Sequence, residues 1–340
     1  MAPRSANINV MIRAAEQAAR SLVRDFGEVE QLQVSRKGPA DFVSTADLKA
    51  EKTLRAELSK ARPDYGFLME ESGVSAGADK SHRWIVDPLD GTTNFLHGLP
   101  HWAISIALER DNEIIAGVVY EPIRNEMFWA EKGQGAFVSS QRLRVSERRR
   151  LDDSLIATGA PFKGRGDHPA FTAQLQAVMA ETAGIRRFGS AALDLAYVAA
   201  GRYEGFWETG LSPWDIAAGV ILVSEAGGFV SEVNGQRNPI YTGSVLAANT
   251  HLFQPLGKLL RDSIERYEAA KAQRKATSAL PATATTPATT TATATTTVAT
   301  SATGVTPAPV QPSAPETPII SERARFSPRP ARRRPPSPTK

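Results

Sequence analysis

Apolar residues recur at helical spacing over residues 5–25, where Ile8, Met11, Ile12, Ala15, Ala18, Ala19 and Leu22 share a face, so the chain is expected to open with a helix. A second helix is expected from Ser44. Asp47, three positions on, completes a capping-box pattern, and Leu48, Leu54 and Leu58 supply an apolar face. GFLMEE (66–71) and RWIVD (83–87) are short apolar runs ending in acids and predict buried strands. From 101 to 131 the pattern turns to alternation. WAISIAL, EIIAGVVYEP and EMFWAEKG, separated by the polar turns DNE and IRNE, predict antiparallel strands, and GQGAFVSSQRLRV a further hairpin. In the second half, short strands (LIATGAP, RYEGFWE, GGFVSEV, SVLAANT) alternate with helical patterns at 168–182, 190–200, 214–226 and 250–270. That rhythm predicts sheets covered by helices.

Composition changes sharply near residue 275. Residues 1–275 read as a globular domain with two sub-domains, about 1–150 and 151–275. Residues 276–340 are almost pure Ala, Thr and Pro before a basic, Pro-rich end, too poor in apolar bulk to offset the entropy of ordering, and are expected to be disordered. The tail holds seven Lys/Arg and two acids, so of the net +4 the globular part carries only −1. The basic pI therefore belongs to the tail. Its Arg332-Arg333-Arg334 run fits either a polyanion contact or simple solubilisation. There is no cysteine, which excludes disulfides, thiolate catalysis and Cys-based zinc sites. No apolar h-region opens the chain and no window approaches a membrane span, so a cytoplasmic location is expected.

Five acids stand at junctions where an apolar run stops or a helix starts: Glu70, Glu71, Asp87, Asp90 and Asp215. Carboxylates gathered without nearby Lys or Arg suit hard divalent cations, Mg²⁺ above all. The alternative is a plain surface turn at Pro88–Gly91 and a solvated Glu70–Glu71 pair; three clusters, each beside an apolar run, weigh against it. Gly91 allows close backbone approach to a ligand, and a helix starting there would offer free N–H groups to an anion, with the hydroxyls of Thr92 and Thr93 added. A metal cluster beside an anion-binding helix start is what phosphoryl hydrolysis needs. No G-x-S-x-G elbow and no paired histidines offer another mechanism.

WIVDPLDGTTNF (84–95) resembles the first signature of the inositol monophosphatase family, and WDIAAGVILVSEAGG (214–228) its second. MEES (69–72) and RRFGSAALDLAYVAAGRYEGFWE (186–208) are also similar to family segments, closest to the bacterial extragenic-suppressor branch. The likeness runs from about residue 5 to 270. It implies a layered αβαβα sandwich, a homodimer, lithium sensitivity and two to three Mg²⁺ per site. Position by position, it implies that Glu70, Asp87 and the Leu89 carbonyl hold one Mg²⁺, that Asp87, Asp90 and Asp215 hold another, and that a weaker third leans on Glu70. Asp47 and Thr92 would orient the attacking water, Gly91 and Thr92 would donate backbone N–H groups to the phosphate, and Glu71 would support the site. Gly189, Ser190, Ala191 and Glu208 would face the hydroxyls of the alcohol. The resemblance thus implies a Mg²⁺-dependent phosphatase of inositol-1-phosphate or a similar polyol phosphate. Histidinol phosphate or a sugar phosphate remains open as substrate, because the motifs specify the reaction and not the alcohol. The branch also implies a second class of function, ribosomal RNA antitermination through transcription-complex proteins and RNA.

Overall fold

A computed structural model describes residues 4–29, 34–38, 41–161 and 166–278. From 279 on, the Ala/Thr/Pro-rich tail lies outside the described residues, as does the Arg332–Arg334 run.

The first helix spans Ala6–Gly27, with Ser5 as N-cap accepting the Ile8 N–H. The second spans Thr45–Ala61 and starts on the expected capping box, Ser44 paired with Asp47. Its buried face differs from expectation. Leu48 is 53% exposed, and Ala46, Ala50, Leu54 and Leu58 are buried instead. Packing against the Ala-rich first helix selects that i, i+4 row of small and apolar residues.

These two helices cover one face of an eight-stranded sheet. Across it run Gln141–Arg142, Gly135–Val138, Glu126–Glu131, Glu113–Glu121, Ala103–Arg110, His82–Asp90, Gly66–Met69 and Gly73–Ser75. All neighbours are antiparallel except Gly66–Met69 and His82–Asp90, which run parallel. Alternation decides the two faces. Ile104, Ile106 and Leu108 turn toward the first two helices, whereas Ala103 and Ala107 turn inward.

Helices Ala191–Ala199 and Pro213–Glu225 pack on that inner face. Approach is close: a Cβ at Gly117 would lie 2.6 Å from the Ile221 side chain and 2.8 Å from the Ala218 carbonyl. Beyond them lies a five-stranded sheet ordered Gly184–Arg186, Leu155–Thr158, Gly205–Thr209, Ser244–Ala248, Phe229–Ser231. Phe206, Val245 and Ala247 face the inner helices, while Trp207, Leu246 and Ala248 face outward, where His168–Glu181 and Phe253–Ser278 close the stack. The result is the αβαβα sandwich.

Candidate active site

The strand expected to stop at Asp87 continues to Asp90. Its pairing with Ala103–Arg110 slips between Asp87 and Asp90. Pro88 has no N–H to give the ladder, and the Asp87 carboxylate accepts the Leu89 N–H at 2.8 Å, so the chain turns locally without leaving the sheet. Asp215 arrives from the inner helix Pro213–Glu225. It is the acid of a capping box, accepting the Ser212 N–H at 2.7 Å. Carboxylate oxygens of Asp87, Asp90 and Asp215 lie within 4.8 Å of one another.

Asp90 is buried and bound from far along the chain. It accepts the Ser190 hydroxyl at 2.6 Å and the Ala192 N–H at 2.8 Å. It thereby caps Ala191–Ala199, whose own N-cap, Ser190, makes no capping bond. Asp47 is fully buried and accepts the Ser44 N–H at 2.9 Å and the Ser44 hydroxyl at 2.6 Å. Its other oxygen lies 3.2 Å from the Thr92 hydroxyl, which is also 3.1 Å from the Leu89 carbonyl. One hydroxyl proton serves one acceptor at a time. A short helix, Thr92–Leu96, does begin after Gly91, which holds φ +94° as N-cap. Helix starts at Thr45, Thr92, Ala191 and Pro213 thus meet here, and their N-terminal dipoles favour anions.

Burial and mutual repulsion raise several of these acids. Burial, followed by repulsion from Glu70, Asp90 and Asp215, pushes the Asp87 carboxyl well above its usual range. Asp90 is pushed up to about 6, first by burial and then by Glu70, against the hydrogen bonds from Ser190 and Ala192. Glu208 is pushed up to about 8 by burial, Asp215 and Asp90, with Arg187 pulling the other way. Asp47 is raised by burial against its hydrogen bonds.

One cleft of about 490 Å³ collects most of the residues singled out in the sequence: Glu70, Asp87, Leu89, Asp90, Gly91, Thr92, Thr93, Gly189, Ala191, Glu208 and Asp215 all line it. Asp47 and Ser190 stand behind the wall, bonded to Thr92 and Asp90; Ser190 is 1% exposed. Glu71 gives its backbone N–H to Glu51 at 2.8 Å and does not line the cleft.

Sequence reasoning passed over Asn94, Gly159 and Arg187, which line the same cleft. Asn94 and Arg187 lie inside the quoted family-like segments, so a signal existed; Gly159 had none. Gly159 is glycine because the Glu208 carboxylate lies against it: a Cβ there would sit 1.9 Å from the Glu208 carboxyl carbon. Also passed over was Asp194, a helix residue 1% exposed whose two oxygens have no hydrogen-bond partner. Burial, with the charges of Glu208 and Asp90, holds its carboxyl well above the usual range.

Comparison with known proteins shows the family and the fold. The family model described as "inositol monophosphatase family" matches residues 5–302. An inositol-1-monophosphatase of Mesorhizobium japonicum is 60% identical over 258 residues, 76% of this chain and 97% of that protein. The Nus factor SuhB of Escherichia coli is 43% identical over 257 residues, 76% of this chain and 96% of that one. Among solved structures, the extragenic suppressor protein suhB of Bartonella henselae matches with 58% identity and a TM-score of 0.74, over 75% of this chain and 98% of the other.

Proposed function

The chain belongs to the inositol monophosphatase family, and from that premise we propose that it hydrolyses inositol-1-phosphate, or a closely similar polyol phosphate, with magnesium held in the cleft. The observation that carries the reading is the convergence of Asp87, Asp90 and Asp215 beside the helix start at Gly91–Thr93.

The residues fit magnesium. The donors are carboxylates plus the Leu89 carbonyl, with no sulfur or imidazole among the described residues that line the cleft, which suits a hard cation. Acids raised by burial and then by mutual repulsion are relieved by a cation between them. Glu70, Asp87, Asp90, Asp215 and the Leu89 carbonyl would hold it. The chemistry it supplies when bound is electrostatic: neutralising the ester's charge and easing the ionisation of water.

The chain's own groups do the rest. The Gly91 and Thr92 N–H groups, with Thr93 beside them, receive the phosphate at a helix start. Asp47, when it accepts the Thr92 proton, leaves a Thr92 lone pair to receive a proton from the attacking water, which fixes that water's direction. Attack forms one P–O bond and breaks the ester P–O bond; the attacking water gives up one proton and the departing alkoxide gains one, so the products are phosphate and the alcohol. Ser190 holds Asp90. Glu208, Gly189 and Ala191 form the wall that meets the alcohol's hydroxyls. Lithium inhibition and a homodimer belong to the same reading through the resemblance.

The purified full-length protein should release phosphate from inositol-1-phosphate faster than from histidinol phosphate or sugar phosphates, only with Mg²⁺, and lose this release in EDTA. No Mg²⁺-dependent release from any monoester would overturn the reading. Gly159→Ala should displace the Glu208 carboxylate and raise KM for inositol-1-phosphate about tenfold, the worth of roughly one hydrogen bond. Its kcat on p-nitrophenyl phosphate, which has no polyol hydroxyls, should be unchanged.

A second reading rests on the similarity to SuhB, which is named a Nus factor. This chain would then also bind transcription-complex proteins or RNA, independently of turnover.

A further inference from the structure

Asn94 is 8% exposed, lines the cleft and sits in the short helix that follows Gly91. Its side-chain amide nitrogen donates to the His101 carbonyl at 2.8 Å and the Phe188 carbonyl at 2.7 Å, with the Gly189 carbonyl third at 3.4 Å. Among uncharged side chains, only an amide NH₂, with two protons and no lone pair to repel, satisfies carbonyls from two directions in this way. A separate feature points to the same place. The α-carbon of Gly91 is enclosed by the His101 carbonyl, Trp102 and the Gly189 carbonyl; a Cβ would lie 3.1, 3.3 and 3.4 Å from them. Two of those three neighbours are carbonyls that Asn94 holds.

The segments so joined do different work. Residues 90–93 meet the phosphate, and residues 189–191 meet the alcohol. A second bridge between them exists, from Asp90 to Ser190 and Ala192, but Asp90 is also part of the acid cluster. The Asn94 bridge is uncharged and independent of the cluster.

We propose that Asn94 is a positioning residue that keeps the alcohol-facing segment 188–192 in register with the phosphate-binding turn, so that it governs recognition of the alcohol more than the chemistry at phosphorus. This rests on the phosphatase reading for its kinetic consequence, and not for its structural one.

The test uses Asn94→Asp, nearly isosteric but turning an oxygen toward the carbonyls, and Asn94→Ala. Hydrogen exchange is measured first, on the full-length chain. Amides of residues 189–192 should exchange at least tenfold faster in both variants, while the sheet strands 103–121 keep wild-type rates. Unchanged exchange at 189–192, or equal acceleration everywhere, overturns the proposal whatever the protein turns over. In kinetics, kcat/KM for inositol-1-phosphate should fall ten- to a hundredfold, mostly in KM, and more in Asp than in Ala. For p-nitrophenyl phosphate, which makes few contacts with the wall, it should fall less than threefold in Asn94→Ala, which adds no charge to the cleft that Asn94 lines. Equal losses on both esters would mark Asn94 as merely structural and overturn the proposal. Should the wild type cleave neither ester, the phosphatase reading fails alone, and the exchange result still decides the role of Asn94.

Discussion

Asp90→Asn is expected to lower kcat/KM on inositol-1-phosphate by at least about 10³-fold, because the electrostatic clamp on the phosphate is worth several kcal/mol and loses one anionic ligand. The substitution spares the fold, since the Asn oxygen can still accept from Ser190 and Ala192. It should even stabilise the metal-free protein. In the folded chain the Asp90 carboxyl titrates at about 6 rather than 3.8. The folded state therefore holds this proton more tightly than the unfolded state, and metal-free stability falls as pH rises from about 4 to about 6. The full penalty, at most roughly 3 kcal/mol at pH 7, is absent in Asn. Thermal melting in EDTA should thus show the variant above wild type at pH 7 and level with it at pH 4. Adding Mg²⁺ should raise the wild-type Tm and close the gap. A variant that turns over normally, or melts lower at pH 7, would remove Asp90 from the cluster's function. The same inactive variant separates the two readings of function: if it still co-purifies with transcription proteins, binding is independent of catalysis.

Thr92→Val should cost about 10²- to 10³-fold in kcat with KM within a few-fold, the size expected of a group that orients water or relays its proton. Valine keeps the volume and removes only the hydroxyl that lies 3.2 Å from Asp47 and 3.1 Å from the Leu89 carbonyl. Asp47→Asn should cost a similar factor. If the two act as one unit, the double variant is no slower than the worse single, because losing either partner already disables the pair. Fully multiplicative losses would mean that they act separately. Asp47 also caps the helix Thr45–Ala61, but Asn keeps an oxygen that can accept the Ser44 N–H, so both variants should keep this helix start.

Much of the architecture was readable because it depends on local periodicity. Alternation over 101–131 marked three strands, and helical spacing marked the first helix and the four helices of the second half, because the faces of each element meet different surroundings and the residues repeat with that element's period. The departures come from partners distant in sequence. Leu48 lies outside the buried face because the first helix selects the row Ala46, Ala50, Leu54 and Leu58. The strand passes through Pro88 because Asp87 satisfies the Leu89 N–H within the turn.

The site divides in the same way. Acids at the ends of apolar runs, a glycine before two threonines and the absence of thiols are local facts, and with the two signatures they pointed to cation-assisted phosphate chemistry. Convergence is not local. That Asp215 reaches Asp87, that Ser190 serves Asp90, that Gly159 yields its side-chain space to Glu208 and that Asn94 grips Phe188 all depend on two sheets sandwiching one pair of helices. Hydrogen bonds and repulsion act over a few ångströms in space, and no spacing along the chain reports which residues folding brings within that reach.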